Sequence, residues 1–501
     1  MAMKPTMQPA DDLVQKNPFR GQRFDGRTPP PFAEIKNRLP EPVLPEYPGW
    51  VEMYWRAWEM AWNQLRRPKG SSKLVSLYLL PPEQPHLQLT DTVFASQFFL
   101  YGRRAFDLTC LLDNFYASQL DDGAISRELH PDSGEHVQCP FAPDATGPAI
   151  LSWAEWRRYR AVGDDGRFAH VFWPLLANHR WRRRHRSWPD GAYWATGVSS
   201  GLDNQPRVPD SMHHHQHWSW VDATMQAALD CRILAQMAAK LDVPDLTTEL
   251  AAERVQLIRI INDRMWHEEA GFYQDVGPDG RFIPVKSIAA YWGLWDGEIV
   301  PEKRRDPFVR HLRENWAFNL PHRIPSLSAD SDGYNSETGH GWRGGVWPSA
   351  NYVVLKGLRV INQYKTAHAI AVNHVAKVCD VFRHTDTFWQ YYAPESIAPG
   401  KEAADNAISA GGLTAVSMLL EDVIGINVDW PQRRVTWDRW LASAGLYGVR
   451  HYPLGDTGTM DLLGDDVKVV VTTDVPFTLE IRDGEQRLQT AVPAGTTEIE
   501  L

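Results

Sequence analysis

The chain of 501 residues carries 52 Lys and Arg against 62 Asp and Glu, a formal charge of −10, and 43% of its residues are hydrophobic. That balance excludes nucleic acid, whose binders need a basic face, and no run approaches the ~18 apolar residues that span a bilayer. Twenty-two tryptophans stand out; Trp fills cores and also stacks on ligand rings, so the count must be divided between the two uses.

Met1 to Asn17 has no apolar segment of a secretory leader, and the expected location is the cytoplasm. Cys110, Cys139, Cys231 and Cys379 lie far apart without a C-x-x-C pair. This spacing supports neither a zinc site nor a disulfide framework and suits a reducing compartment.

In chain order, residues 1–48 read as a proline-rich lead-in, with seven prolines between Pro29 and Pro48. Val51, Trp55, Trp58, Trp62 and Leu65 then recur at helical spacing, a stripe that suits core better than a ligand platform. Ser219 and Asp222 resemble a capping box opening a helix that runs through Leu241. Leu250, Leu257, Ile258, Ile261 and Met265 predict another helix, and Leu413, Val416, Leu420 and Val423 a last one ending near Gly425. Long loops lie between the helices, the places where binding and catalysis concentrate. Beyond 428, Val467–Thr472, Phe477–Ile481 and Thr496–Leu501 read as strands of a small antiparallel β domain.

Three loops could carry chemistry. The first contains Ser200-Gly201-Leu202-Asp203-Asn204-Gln205-Pro206-Arg207; its Asp could equally cap a helix. The second is Gly341-Trp342-Arg343-Gly344-Gly345-Val346-Trp347-Pro348, where glycines allow close backbone approach and aromatic faces suit the C–H faces of sugars. The third is Thr387-Phe388-Trp389-Gln390-Tyr391-Tyr392-Ala393-Pro394-Glu395. His213, His214, His215 and His217 follow the first loop. Clustered imidazoles can bind zinc, but no Cys or paired carboxylate completes a set nearby, so a solvated or substrate-facing loop is expected, with no metal and no cofactor.

The three runs occur in the order seen in clan-G glycoside hydrolases, and the chain resembles that group over roughly residues 50–430. The group includes trehalases, family-63 processing α-glucosidases and bacterial mannosylglycerate and glucosylglycerate hydrolases. The resemblance implies a mainly α fold, an (α/α)6 barrel over 49–427 followed by the small β domain at 428–501. It also implies inverting hydrolysis of an α-glycoside, an α-glucoside first and an α-mannoside next. Such a site uses two carboxyl groups ~6.5–9.5 Å apart, with water between. Asp203 matches the general acid. Asp91 and Thr92 match a sugar-binding segment; Arg127 and Trp173 match pocket segments, and Trp342 and Trp347 match stacking tryptophans. Asn204, Arg207, Arg343, Gly344, Tyr392 and Glu395 complete the expected substrate contacts, the partner being a small carbohydrate or glycoside.

The sequence departs from the group at the base, where Gln390 stands in place of Glu. An amide holds water by hydrogen bonds but does not take its proton near neutral pH. Three explanations stay open: an engineered or natural loss of the base, Glu395 or Glu402 acting instead, or a base-less enzyme using phosphate as nucleophile. A sugar-binding barrel without turnover is the non-enzymatic alternative. Thr90 and Leu413 also replace tryptophans of the group.

Overall fold

In the computed structural model, which describes residues 12–82, 84–443 and 445–501, the stripe beginning at Trp50 folds as helix α1 (Pro48–Asn63). Pro48 opens it at a position where a missing N–H forfeits no hydrogen bond. Trp50, Trp58 and Trp62 are buried, while Trp55 lies half-buried beneath the Lys36 ammonium. Residues 1–11, the larger part of the segment read for a leader, lie outside the described residues.

Helices α2 (Leu89–Phe99), α3 (Leu151–Val162), α4 (Asp165–His185), α5 (Val221–Lys240) and α6 (Pro244–Arg264) follow. Gly163, at φ +79°, ends α3, and Asp164 caps α4 by accepting from the Arg167 N–H. The short link between α5 and α6 makes them an antiparallel packed pair. Farther on come α7 (Pro348–Val360), α8 (Tyr364–Thr385) and α9 (Ile408–Gly412), which continues as a wider π-helix over Leu413–Val423. Leu413 is fully buried there. The expected capping box at Ser219 is absent: Trp220 holds the cap position, and Asp222 is drawn instead to a buried arginine described below.

Much of the tryptophan content is core. Trp153, on α3, is fully buried and meets Phe94, Trp292, Trp295 and Tyr352 edge-on at 5.2–6.3 Å. Edge-to-face rings at these separations bury large apolar area and fix orientation.

The C-terminal strands form two sheets. One runs β1 (Glu41–Val43), β2 (Tyr447–Leu454), β3 (Gly458–Gly464), β4 (Lys468–Thr473) and then Gly495–Glu500, antiparallel throughout. Part of the proline-rich segment is therefore a strand of this sheet, Glu41 pairing with Arg450. The other sheet joins Ile426–Asp429, Arg434–Asp438, Phe477–Asp483 and Gln486–Val492. Arg434–Asp438 and Phe477–Asp483 run parallel, so the domain is not antiparallel throughout. The chain passes through the first sheet between these two strands, a connection long enough to return in the same direction.

Helices and sheets share one hydrophobic cluster, from Phe19 to Ile499. Polar ties reinforce it: Trp437 Nε1 donates to the Ile424 carbonyl at 2.9 Å, and Arg359 pairs with Asp438 at 2.5 Å. Beneath them Lys356 is buried between Glu421 at 2.7 Å and Asp422 at 2.5 Å, and Arg157 meets Glu421 at 2.8 Å. Removing one partner of such a cluster strands charge in the core. Lys356→Met is expected to lower unfolding free energy by about 3–5 kcal/mol, read from denaturant midpoints; a change under about 1 kcal/mol would contradict this role. Among the described residues no helix is long and apolar enough to cross a membrane.

Candidate active site

The first loop is built around a single helical turn, Gly197–Ser200. Thr196 caps it: its hydroxyl accepts from the Ser199 N–H, and the Ser199 hydroxyl accepts from the Thr196 N–H. Gly201, at φ +78°, reverses the chain and delivers Leu202 inward and Asp203 outward. The Asp203 carboxyl keeps access to solvent, yet protein surrounds it closely enough to strip part of its hydration. That desolvation, with the nearby Asp144 charge and against the pull of Arg127, pushes it up to about 6.

Asn204 stitches this loop to the second. Its amide donates to the His340 carbonyl at 2.9 Å, its carbonyl oxygen accepts the Trp342 N–H at 2.8 Å, and Arg343 Nε returns a bond to the Asn204 carbonyl at 3.1 Å. The second loop is tied to the third by paired backbone bonds between Val346 and Tyr392, 2.8 and 3.0 Å. The Tyr334 hydroxyl also donates to Glu395 at 3.0 Å. The three loops singled out in the sequence therefore converge.

Trp342 and Trp347 stack face to face at 3.9 Å, and Tyr391 stacks on Trp347 at 4.7 Å. Two rings that close cannot lie side by side on one face, so Trp347 is sandwiched between Trp342 and Tyr391. The expected pair of platforms becomes one: Trp342 keeps a face with no ring or cation against it among the described residues, while Trp347 supports it from behind. Gly344 also differs from its expected use. At φ +132° its Cα packs against the Tyr334 ring, 2.7 Å from where a Cβ would sit, so its small size serves loop packing rather than ligand approach.

Four further residues of the expected set are engaged by the protein itself. Arg207 is fully buried, paired with Asp222 and Asp275 at 2.7 Å each, with its guanidinium over Trp220. A buried cation needs matched carboxylates, and these consume its donors. Thr92 is buried, and its hydroxyl donates to the Gln88 carbonyl one turn back. Tyr392 is fully buried, its hydroxyl accepting from the Trp389 N–H. Trp173, on α4, lies beneath the Lys16 ammonium at 3.9 Å, a contact with the N-terminal segment.

Asp91 stands in the first turn of α2, where it accepts from the Gln84 amide at 3.0 Å; burial raises its pKa above the ordinary carboxylate value. Leu87–Gln88, just before it, pairs with Glu128–Leu129, which follows Arg127 directly. Arg127 contacts Glu128 at 3.1 Å and donates to the Asp144 carbonyl at 3.0 Å. Sequence reasoning missed Asp144. Its carboxylate accepts from the Thr196 hydroxyl and meets His213 Nδ1 at 2.6 Å, so it links the Asp203 loop to the histidine run. Nothing local in Pro143-Asp144-Ala145 marks that role.

The backbone N–H of Gln390 donates to the Ala404 carbonyl, and its side chain is exposed. Glu402 is exposed at φ +65°. His214, His215 and His217 bring ring nitrogens within 4.8 Å of one another beside Trp188 and Trp194. In two of these rings Nδ1 accepts a backbone N–H, His214 Nδ1 from Gln216 and His215 Nδ1 from His217.

The charges around Asp203 set a pH signature. Arg127 favours the ionised carboxyl, so with Asp203 as the titrating acid Arg127→Gln is expected to move an alkaline limb of kcat/KM to higher pH. Asp144→Asn removes a like charge and should move it lower. Coincident profiles for both variants and the parent would exclude Asp203 as the group seen.

A family profile described as "Mannosylglycerate hydrolase MGH1-like glycoside hydrolase domain" matches residues 92–404. An uncharacterized protein of Borreliella burgdorferi is 24% identical over 70% of this chain and 75% of its own length. A probable mannosyl-oligosaccharide glucosidase of Schizosaccharomyces pombe is 26% identical over 49% of this chain and 31% of its own. Among solved structures, a GH63 mannosylglycerate hydrolase from Thermus thermophilus in complex with glucose superimposes with a TM-score of 0.57 at 18% identity. That match covers 73% of this chain and 99% of the other.

Proposed function

We infer that this chain, which belongs to the mannosylglycerate hydrolase MGH1-like glycoside hydrolase family, hydrolyses an α-glycosidic bond with inversion inside an (α/α)6 barrel. A small α-glucoside is the first substrate and an α-mannoside the second. The observation that carries this reading is the Asn204 clamp. It fixes Asp203, one residue away, against the loop that presents the Trp342 face. A carboxyl held up to about 6 keeps a useful protonated fraction near neutral pH and can protonate a departing glycosidic oxygen.

On this reading Trp342 stacks on the apolar face of the sugar, with Asp91 and Arg127 at its hydroxyls. Glu395, anchored by Tyr334, lies in the same loop as position 390. Gln390 occupies the base site and orients water without taking its proton, which makes this form slow. The test is an assay of α-glucosides and mannosylglycerate with and without phosphate. Free sugar released without phosphate supports the reading. Sugar 1-phosphate formed only with phosphate would replace it with a phosphorylase. Binding without turnover, in both this chain and Gln390→Glu, would replace it with a sugar-binding protein.

A further inference from the structure

Beneath the loop that carries Asp203, helices α4, α5 and α6 bring together three buried side chains that the glycosidase reading leaves unused. His179 comes from α4, Cys231 from α5 and Glu253 from α6, and all three are nearly inaccessible to solvent. His179 Nε2 lies 3.6 Å from Cys231 Sγ and 3.4 Å from Glu253 Oε1, and the three donor atoms fall within 4.8 Å of one another.

We propose that His179, Cys231 and Glu253 form a zinc-type metal site. Zinc bonds of about 2.3 Å to sulfur and about 2.0–2.2 Å to nitrogen and oxygen, at tetrahedral angles, place S and N about 3.6 Å apart and N and O about 3.4 Å apart. The two separations from His179 Nε2 match, and Cys231 Sγ and Glu253 Oε1 lie within 4.8 Å of each other. The outer contacts match as well. His179 Nδ1 faces Asp230 Oδ2 at 2.8 Å, and Asp230 in turn accepts from the Ser152 hydroxyl. A carboxylate on the far nitrogen orients the ring so that Nε2 faces the thiol and Glu253, as behind metal-bound imidazoles. Glu253 Oε2 is already paired with Arg183 at 2.9 Å, which leaves Oε1 to face His179; despite burial, Cys231, Asp230 and Glu253 hold metal-free His179 well above the usual imidazole range, so zinc must displace a proton from it.

Mixed thiolate, imidazole and carboxylate donors suit zinc among the common divalent ions. Three protein ligands leave a fourth position for water, and a cavity lined by Arg183, Tyr193, Glu253 and Leu257 borders the site. Binding releases the thiol proton and the His179 Nε2 proton to solvent, since thiolate and neutral imidazole are the ligands. The widely separated cysteines pointed away from zinc in the sequence; the fold supplies the missing ligands from three different helices. The site joins those helices just below Tyr193, whose hydroxyl is 3.5 Å from Glu253 and which leads into the acid's loop.

The test uses the full chain without a histidine tag, stripped with chelator and titrated with zinc. Cys231→Ser, Glu253→Gln and a triple His214→Ala, His215→Ala, His217→Ala variant are run beside it, with folding checked by circular dichroism. The expected result is one equivalent of zinc and a raised Tm in the parent and the triple variant. Cys231→Ser should lose that equivalent, and Glu253→Gln should bind more weakly. Cobalt should give a thiolate charge-transfer band in the parent that is missing from Cys231→Ser. Zinc kept by Cys231→Ser but lost by the triple variant would overturn the proposal in favour of the surface imidazoles. A parent that binds no zinc would also overturn it, leaving the cluster a buried imidazolium between carboxylates.

Discussion

Asp203→Asn is expected to lower kcat/KM by about 10²–10⁴-fold on an α-glucoside with an alkyl aglycone, because the amide cannot protonate the leaving oxygen. The fold should survive, since the Asp203 carboxyl is open to solvent and the turn is held by Thr196, Ser199 and Gly201. A nitrophenyl glucoside offers a diagnostic contrast. Its leaving group departs as a stabilised phenolate and needs little protonation, so the loss should shrink sharply. Equal losses on both substrates would show that Asp203 positions the sugar rather than supplying the proton. The alkaline limb near pH 6 should also vanish in this variant, because the titrating group is gone.

Gln390→Glu is expected to act in the opposite direction, raising kcat by about 10²–10⁴-fold, the usual worth of a general base. The exchange is nearly isosteric at an exposed side chain, and the Gln390 backbone stays tied to the Ala404 carbonyl. A new acidic limb should appear as the introduced carboxylate titrates. An unchanged kcat would mean that position 390 is not the base. Glu395→Gln then separates the remaining possibilities: loss of the parent's turnover would place the base at Glu395, whereas unaffected, phosphate-dependent turnover would point to an external nucleophile.

Local pattern carried much of the architecture. The Val51–Leu65 stripe, the 219–241 and 250–265 segments and the runs beginning at Val467 and Phe477 correspond to observed elements, because helix and strand periods reflect burial of one face. The parallel pairing of Arg434–Asp438 with Phe477–Asp483 depends on the route of the chain, which no local period encodes. The order of three motifs along the chain similarly anticipated loops that meet at Asn204 and Val346.

Individual side chains were harder to place, for a consistent physical reason. Residue type states what a group can do, while partners decide what it does. Arg207 looked like a ligand donor, but two buried carboxylates from distant segments claim it. Trp347 looked like a platform until Tyr391, from another loop, covered its second face. Asp144 carried no motif, yet it is the carboxylate that joins Thr196 and His213 beside the acid.

The central claim is inverting cleavage of an α-glycoside with Asp203 as acid, and the anomeric configuration of the first sugar released tests it most directly. Proton NMR of an α-glucoside digest, at high concentrations of this chain and with Gln390→Glu in parallel, should show β-glucose first, followed by mutarotation. An α-anomer appearing first would contradict the account.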